Sequence, residues 1–517
     1  MPEPNEKLAL SLEALKRLQD QNITAIRTDS LSRIHRERLL KNGFLQEVLQ
    51  GWYIAVPAGE RVGDTTHWYT NFWNFCGEYL EARYGEDYYL FPDQSLLLHT
   101  GNYTVPKQLI IRTSAKSNFL TELLAGTSIL HMEAVLPASA KFVRVNSIRM
   151  MDLASSLVHC TPSVFEKTAT DVRTALSMIG DASELLDPLL AGGHTVIAGR
   201  LAGAMRNIGR DRIADDIISA MNAAEYKSRE SDPFKYPSPV FFSNRERSPF
   251  VNRIKLFWSE MRDTIIAQFP KAPEAPKDIA AYMKQVEELY VADAYHSLSI
   301  ERYRVTPELI EKVRSGTWDS SGNEEDKKQK DVMAARGYYL AREKVKESIL
   351  SILKGRSPGE AIDEDHTTWY RELFAPSVTA GILKPQDLAG YRNQQVYIGG
   401  SKHVPVSNEA VRDTMPALFD LLKNEPEASV RAVLGHFIFV FIHPYMDGNG
   451  RMGRFLMNAM LASGGYPWTV IPVEERDTYM AALEKASVEQ DISDFSKYLA
   501  YLVDAAMRGE PVAKVKR

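Results

Sequence analysis

Hydrophobic residues recur at helical spacing along most of the chain, and most strand-like patterns lie in its N-terminal half. Leucines repeat along one face of a helix predicted over residues 7–20, and a basic helix is predicted over residues 29–41. Two short strand-like runs around a glycine predict a hairpin over residues 44–56. Because helices followed by a hairpin are the order of a winged helix, residues 1–60 are expected to form a winged-helix-like domain.

The rest of the chain divides where the pattern changes. Strand-like runs between residues 84 and 146 precede helical patterns over 147–224, which predicts a mixed α+β domain at 61–226. Prolines cluster over 227–277, and because proline breaks helices and stiffens connectors, this segment is expected to be a linker. From 278 to about 505 the pattern is mainly helical. The predicted fold class is therefore multidomain, with a mostly α-helical C-terminal domain.

Composition narrows the class of protein. The 517 residues are 44% hydrophobic and 25% charged, which is typical of a globular chain with several cores. A net charge of -5 gives no overall attraction for nucleic acid. Cys76 and Cys160 lack metal-ligand spacing. No signal peptide is visible. The apolar run at 437–442, between two histidines, is too short to span a membrane. We therefore expect a cytoplasmic protein without a membrane segment.

One segment concentrates the residues that suit phosphate chemistry. An apolar helix predicted over 430–442 must end before Pro444, which places His443 at a helix end. Glycines at 448 and 450 allow backbone N–H groups to converge on an anion, and a second helix predicted over 451–462 adds its N-terminal dipole. The segment is His443-Pro444-Tyr445-Met446-Asp447-Gly448-Asn449-Gly450-Arg451-Met452-Gly453-Arg454.

The side chains of this segment have complementary chemistry. Arg451, Arg454 and Asn458 lie three and four residues apart, so they project along one helix face, and two guanidiniums are expected to face the same anion. Asp447 offers a hard oxygen suited to Mg²⁺, which nucleotide phosphates share with protein carboxylates. His443 has a pKa suited to removing a proton from an attacking hydroxyl near neutral pH.

The segment resembles the motif of the Fic (filamentation induced by cAMP) family, His-Pro-Phe-x-Asp/Glu-Gly-Asn-Gly-Arg-x-x-Arg. Every specified position matches except that Tyr445 replaces phenylalanine, which leaves a hydroxyl that needs a partner if buried. The resemblance implies that His443 is the general base and that Asp447 binds Mg²⁺. It also implies a helical core with a β-hairpin flap. The nucleotide-binding residues that it implies in this segment are Asp447, Gly448, Asn449, Gly450, Arg451 and Arg454.

Two further regions extend the resemblance. Residues 391–406 contain a Gly-Gly turn between two short strand-like runs and resemble the Fic flap, whose strand edge pairs with an extended target segment; a hairpin that only packs is the alternative. Residues 477–483 are similar to the family segment whose tyrosine encloses adenine, so Tyr479 is a candidate, although an aromatic on such a helix is equally typical of a core. The flap residues expected to contact the nucleotide are Val396, Tyr397, Ile398 and Gly399.

A possible inhibitory element precedes the motif. Ser297 and Glu301 lie four residues apart at the end of a predicted helix and resemble the family's inhibitory motif, Ser/Thr-x-x-x-Glu-Gly/Asn. The resemblance implies that Glu301 pairs with Arg454 where the γ-phosphate of ATP would bind. Arg302 stands where the family has Gly or Asn, and a bulky cation there would weaken the inhibition or add a phosphate contact. A solvated carboxylate at a helix end is the structural alternative for Glu301.

The N-terminal half carries a weaker resemblance. The run from Leu39 to Tyr53, at the end of the basic helix and in the hairpin, resembles winged-helix regulators of the AbiEi antitoxin type, and residues 61–224 are loosely similar to the domain that follows. A basic helix beside a wing is compatible with contact to the DNA backbone, and also with docking of a protein.

These observations favour an auto-inhibited protein adenylyltransferase that moves AMP from Mg²⁺-bound ATP to a Ser, Thr or Tyr hydroxyl. The acceptor would be a target protein bound at the flap, or the enzyme itself. Two other hypotheses stay open. One is a DNA-binding regulator or antitoxin whose Fic core senses nucleotide, and the other is a Fic enzyme that transfers a different phosphate-containing group or removes AMP.

Overall fold

The computed structural model describes residues 4–57, 65–116, 118–137, 140–242, 248–273, 276–316 and 326–515. The chain forms two compact units. The first comprises Met1–Asn252 and the short segment Tyr397–Val404, and the second comprises Arg253–Val396 and Pro405–Arg517.

The first unit begins with a small helix-and-sheet region. Its elements are α1 (Pro4–Asp20), β1 (Ile26–Arg27), α2 (Arg33–Lys41), β2 (Leu45–Leu49) and β3 (Trp52–Ala55). The strands form an antiparallel sheet in the order β1-β3-β2. The basic helix begins at Arg33, later than the predicted residue 29, because Thr28–Ser30 forms a 3-10 turn and the Ser32 hydroxyl caps α2 by accepting the His35 N–H.

A six-stranded mixed sheet follows in the first unit. Its order is β6-β7-β5-β4-β9-β8, and the β5–β7 and β4–β9 pairs are parallel. The helix α3 (Thr66–Tyr84) contributes a buried aromatic face, Trp68, Phe72, Phe75 and Tyr79, to the core that includes apolar strand residues. The strands are β4 (Tyr88–Leu90), β5 (Gln108–Thr113), β6 (Phe119–Glu122), β7 (Ser128–Glu133), β8 (Phe142–Val145) and β9 (Ile148–Met151).

Short helices complete the first unit. They are α4 (Pro92–His99), α5 (Leu153–His159), α6 (Val164–Lys167), α7 (Ala169–Met178), α8 (Ala182–Gly192), α9 (Thr195–Asn207) and α10 (Asp211–Ala223). The segment predicted as a proline-rich linker contains a helix, α11 (Pro249–Gln268), which has a buried apolar face and belongs to the second unit from Arg253 onward. The prolines of this segment lie outside the helix or at its first position, where the missing N–H costs nothing, so their density does not prevent it.

The second unit is mainly helical. Within it α15 packs along α16, and α18 packs along α19. Its helices are α12 (Ile279–Glu288), α13 (Tyr290–Ile300), α14 (Pro307–Ser315), α15 (Asp326–Leu353), α16 (Pro358–Thr379), α17 (Asn408–Asn424), α18 (Ala428–Ile442), α19 (Asn449–Ser463), α20 (Arg476–Val488) and α21 (Ser493–Met507). Because α18 is buried on nearly every side, the end of this helix is fixed by the core around it.

The predicted β-hairpin of the flap is not formed as a strand ladder. Residues 391–406 are irregular around a turn at Gly399–Gly400. Side chains join the two arms instead: the Gln395 amide donates to the Pro405 carbonyl at 2.9 Å, and the Arg392 guanidinium donates to the Val406 carbonyl. Proline cannot donate a ladder hydrogen bond, so the pairing that the strand-like pattern predicted is interrupted at Pro405.

The tip of the flap segment belongs to the first unit. There the Gly400 N–H donates to the Thr66 hydroxyl at 3.0 Å, and the Val105 N–H donates to the Lys402 carbonyl at 3.0 Å. In the part of the chain that the structure describes, no helix is both long and apolar enough to cross a membrane.

Candidate functional site

His443 caps the C-terminus of α18 in a left-handed conformation, with φ of 55°. Helices commonly end in a left-handed residue, and histidine is among the side chains found in this conformation more often than most. The ring Nδ1 lies 3.2 Å from the Val440 carbonyl, which can only accept, so Nδ1 carries the proton and Nε2 has a free lone pair. Burial lowers the pKa of His443 to about 4, and the charge of Arg392 acts in the same direction. The imidazole is therefore neutral at physiological pH.

Arg392 holds the loop that carries this histidine. Its Nε donates to the His443 carbonyl at 2.8 Å, Nη1 donates to the Gln394 carbonyl at 3.0 Å, and its backbone N–H donates to the Pro444 carbonyl at 2.9 Å. The side chain is almost fully buried, and burial lowers the pKa of Arg392 to about 10. Because the guanidinium bonds both the flap base and the catalytic loop, it fixes their relative positions. The sequence patterns did not single out Arg392.

The glycine-rich turn is tightly packed against neighbouring side chains. Gly448 caps α19 with φ of 83°, and a Cβ there would lie 2.8 Å from the Phe374 ring, so only glycine fits. The Asn449 side chain accepts the Tyr445 N–H at 2.9 Å and donates to the Tyr445 carbonyl at 2.8 Å. Asn449 and Gly450 already belong to α19 rather than to a preceding loop. The predicted anion nest is thus one glycine followed by the first turn of a helix.

Arg451 lies buried beside Asp447. Its guanidinium carbon is 5.1 Å from the centre of the Tyr303 ring and 5.0 Å from that of Phe374, which allows cation–π attraction to both rings. Nη2 lies 3.4 Å from an Asp447 oxygen. Among the described residues, Arg451 Nε has no hydrogen-bond partner. A buried guanidinium with an unused donor is suited to an anionic ligand.

Arg454 is bonded to both residues of the predicted inhibitory pair. Nε donates to the Ser297 hydroxyl at 2.8 Å, and Nη2 donates to the Ser297 carbonyl at 3.0 Å and to Glu301 Oε1 at 2.8 Å. Burial alone would lower the pKa of Arg454. The negative charge of Glu301 has the larger, opposite effect, so the pKa of Arg454 is raised. Nη1 has no hydrogen-bond partner within the described ranges. One further donor of this guanidinium therefore remains for a ligand.

Glu301 occupies the position of an anion at the start of α19. A Cβ on Gly450 would lie 2.3 Å from Glu301 Oε1, so the carboxylate lies directly against the first turn of this helix. A helix N-terminus attracts negative charge. The carboxylate thus takes the position that this helix end and Arg454 would offer to a phosphate.

Arg302 follows Glu301 in a left-handed conformation with φ of 67°, and its N–H donates to the Ser299 carbonyl at 2.9 Å. Helices commonly end in this way, and glycine or asparagine is favoured at the left-handed position. The geometry therefore explains why the inhibitory motif has Gly or Asn here. The exposed Arg302 adopts the same backbone at a cost in strain.

Three other candidates are buried. Tyr479 donates or accepts a 2.8 Å hydrogen bond with His436, and the pKa of Tyr479 is raised to about 12 by burial. The amide of Asn458 bonds the Thr469 backbone at 3.1 Å and 2.8 Å, so Asn458 packs helix α19 and does not join the arginines at an anion. Tyr445 is fully buried in a stack, and its hydroxyl has no hydrogen-bond partner among the described residues.

Asp447 is the only predicted metal ligand, and its side chain is 65% exposed. It accepts the Gly448 N–H at 2.6 Å. Within the described ranges, no group of three or more His, Cys, Asp or Glu residues is arranged to hold a metal. One accessible carboxylate beside buried arginines fits Mg²⁺ of the kind that nucleotide phosphates and a single carboxylate hold together.

The flap candidates are divided between the two units. Val396 belongs to the second unit, whereas Tyr397, Ile398 and Gly399 belong to the first. Tyr397 and Gly399 are exposed.

The basic side chains of α2 are largely used within the first unit. Arg36 donates to the Thr28 carbonyl at 2.7 Å, and Arg38 donates to the Lys7 carbonyl at 2.6 Å. Arg33 pairs with Glu37 at 2.7 Å, and its side chain is 82% exposed. Of these three arginines, Arg33 is the one most open to a partner.

The described groups of this site are a neutral histidine, two buried arginines with unused donors and a glycine-capped helix N-terminus. The model of the Fic/DOC family matches residues 364–461, which include all of these groups. The chain therefore carries a Fic domain in its C-terminal region.

Several similar proteins are named protein adenylyltransferases. That of Nematostella vectensis is 28% identical over 262 residues, covering 50% of this chain and 57% of that protein. That of Drosophila grimshawi is 30% identical over 268 residues, with 50% of each chain covered, and fic-1 of Caenorhabditis elegans is 33% identical over 132 residues, with 25% of each chain covered. The chain thus spans about half the length of the first two relatives and a quarter of the third.

The solved structures that match are also Fic proteins. Fic-1 from C. elegans matches with a TM-score of 0.38 and 18% identity, over 66% of this chain and 96% of that one. A Fic domain containing signaling protein from Bacteroides thetaiotaomicron matches with a TM-score of 0.36 and 18% identity, over 52% of this chain and 99% of that one.

Proposed function

We propose that this chain is a protein adenylyltransferase, which transfers AMP from ATP to a Ser, Thr or Tyr hydroxyl, and that Glu301 inhibits it. The observation that carries the proposal is the pair of buried guanidiniums, Arg451 and Arg454, with unused donors at the start of α19. They lie in the motif that begins with the neutral histidine. The names of the similar proteins support AMP as the transferred group.

The proposed reaction is an attack on the α-phosphate of ATP. The hydroxyl oxygen of the acceptor forms a bond to the α-phosphorus while His443 Nε2 takes the hydroxyl proton. The bond between the α-phosphorus and the oxygen bridging to the β-phosphate breaks, and pyrophosphate leaves. Arg451 and Arg454 hold the distal phosphates, whose charge increases as the bond breaks. Arg392 keeps the histidine in place.

Inhibition follows from competition for Arg454. The Glu301 carboxylate accepts from Nη2 at 2.8 Å, so the γ-phosphate of ATP would have to displace it or bind elsewhere. The two anions also repel each other at the same helix N-terminus. ATP bound beside an engaged Glu301 would therefore have its α-phosphate misplaced for attack.

Asp447 is the residue that would hold Mg²⁺, which neutralises phosphate charge when bound. The acceptor is either a target protein or the enzyme itself. We assign target docking to the flap, since exposed backbone next to the turn at Gly399–Gly400 can pair with an extended segment. Within the second unit, we assign Val396 of the flap to the nucleotide and Tyr479 to its adenine side.

The position of the label in ATP tests this proposal. The Glu301→Gly variant should incorporate label from α-³²P-ATP and none from γ-³²P-ATP, both in itself and in the proteins of a soluble lysate. Incorporation of the γ-label would replace AMP transfer with phosphate transfer. Loss of α-label from previously modified protein, on incubation with the wild-type enzyme, would instead favour removal of AMP. No incorporation of either label would contradict the proposal.

A DNA-binding role for the first unit is the second candidate. The observation that favours it is that the basic helix α2 is followed by the antiparallel pair β2 and β3, the element order that we expect of a winged helix. Arg33 is an exposed cation near the start of that helix. Binding of the whole chain to mixed duplex DNA that weakens in Arg33→Glu and with rising salt supports this role, and no binding at low salt contradicts it. For the adenylyltransferase we also propose a cytoplasmic location.

A further inference from the structure

Helix α13 carries a buried acidic residue, Asp293, one turn before the proposed inhibitory pair of Ser297 and Glu301. Asp293, Ser297 and Glu301 are spaced by four residues, so they follow one face of the helix and its C-terminal cap. The side chains of Ser297 and Glu301 bond Arg454, whereas Asp293 bonds residues of helix α15. Asp293 is only 4% exposed, and a buried carboxylate needs strong partners.

Helix α15 supplies those partners. The Tyr338 hydroxyl donates to Asp293 Oδ2 at 2.8 Å, and Arg342 Nε lies 3.3 Å from the same oxygen. Both α15 side chains are fully buried. Arg342 is enclosed by Tyr290 and Trp468, whose ring centres are 5.2 Å and 4.9 Å from its guanidinium carbon, so the partner charge is rigidly held.

Tyr338 also connects Asp293 to the inhibitory pair. The Ser297 side chain is a further polar neighbour of the Tyr338 hydroxyl, and burial raises the pKa of Tyr338 well above its ordinary value, so the phenol keeps its proton for Asp293. Ser297 in turn accepts from Arg454. Asp293 thus contacts Tyr338, Tyr338 contacts Ser297, and Ser297 contacts Arg454.

The contacts of Glu301 alone are weaker. Its side chain is 32% exposed and makes one 2.8 Å ion pair, and an ion pair that water can reach contributes little by itself. By contrast, the Asp293 contacts with α15 are closed to water. The position of the glutamate therefore depends on the anchored part of its helix.

We propose that Asp293 and Tyr338 are positioning residues for auto-inhibition, which hold α13 in the register that brings Glu301 to Arg454. This inference rests on the proposed function, because it needs Glu301 to inhibit nucleotide transfer. It predicts that loosening this anchor raises activity only while Glu301 is present.

A double-mutant cycle tests the coupling. Asp293→Asn and Tyr338→Phe are each compared in the wild-type chain and in the Glu301→Gly chain, with the initial rate of α-³²P-ATP incorporation as the readout. Each should raise the rate by about tenfold in the wild-type chain, since one buried charge-assisted hydrogen bond is lost, and leave it unchanged in the Glu301→Gly chain. Tyr339→Phe is the matched control, because Tyr339 is the neighbouring, partly exposed tyrosine, and it should change neither rate.

Amide hydrogen exchange of the full chain separates failure of this inference from failure of the proposed function. Residues 290–300 should exchange faster in Asp293→Asn and Tyr338→Phe than in Tyr339→Phe, whether or not any label is transferred. Faster exchange without label transfer in any variant would contradict the proposed function and retain the anchor. Unchanged exchange, or equal rate changes with and without Glu301, would overturn the positioning role.

Discussion

The backbone at Arg302 predicts a substitution that strengthens the inhibition. Arg302 follows Glu301 at φ of 67°, where a residue with a Cβ is strained by about 1–2 kcal/mol and glycine is not. Glycine also loses about 0.5–1 kcal/mol more backbone entropy when it becomes ordered. The difference favours the capped, inhibited form of Arg302→Gly by about 0.5–1 kcal/mol, which corresponds to about a two- to fivefold shift in the equilibrium.

The assay is the initial rate of self-labelling with α-³²P-ATP. Arg302→Gly should be about two- to fivefold slower than the wild-type chain, because less of it has Glu301 released from Arg454. In the Glu301→Gly background the same substitution should have no effect on the rate, since the cap then carries no inhibitory carboxylate.

Arg302→Ala is the matched control for the guanidinium. Alanine removes the charge and the long side chain but keeps the left-handed strain, so its rate should stay close to that of the wild-type chain. An equal decrease in Arg302→Ala and Arg302→Gly would show that the cation, and not the backbone, sets the inhibition. A faster rate in Arg302→Gly would refute the reasoning entirely.

Three further predictions concern the catalytic loop. For Glu301→Gly, kcat/KM should fall at acid pH with a midpoint near pH 4, because His443 has a pKa lowered to about 4 and loses its lone pair only below that pH. A midpoint near pH 6.5 would contradict this. Arg392→Met should lower kcat by about 10–100-fold because the histidine is misplaced, while the ATP affinity measured by calorimetry changes little. The control Arg371→Met, at an exposed arginine, should leave kcat unchanged. Asn449→Ala should lower the free energy of unfolding by about 2–3 kcal/mol, measured in urea, because two buried backbone groups lose their partners, and an unchanged value would contradict the clamp.

The sequence predicted best what is local. The end of α18 before Pro444, the positive φ at Gly448 and the start of a helix near Arg451 all follow from neighbouring residues. The pairing of Glu301 with Arg454 came from a family resemblance, and the structure has it as a 2.8 Å ion pair. The positive φ at Arg302 is the conformation that glycine and asparagine favour, which explains why the family motif has Gly or Asn after the glutamate.

Contacts between distant residues were not predictable in the same way. Arg392 precedes the histidine that it supports by 51 residues, and Phe374 lies still further from the glycine that packs on it. Arg392 lies in the segment that resembles the flap, but neither the pattern of that segment nor the spacing along one helix or strand indicates that Arg392 or Phe374 contacts the histidine loop or the glycine. The flap was predicted as a hairpin from its Gly-Gly turn, but side-chain hydrogen bonds from Arg392 and Gln395 replace the ladder that Pro405 cannot complete.

The most direct test of auto-inhibited AMP transfer compares three chains in one labelling experiment with α-³²P-ATP and Mg²⁺. The wild-type chain should label weakly, Glu301→Gly should label strongly, and Glu301→Gly with His443→Ala should not label while still binding ATP. Equal labelling of the first two chains would contradict inhibition by Glu301. Strong labelling by the third would contradict His443 as the base that activates the acceptor hydroxyl.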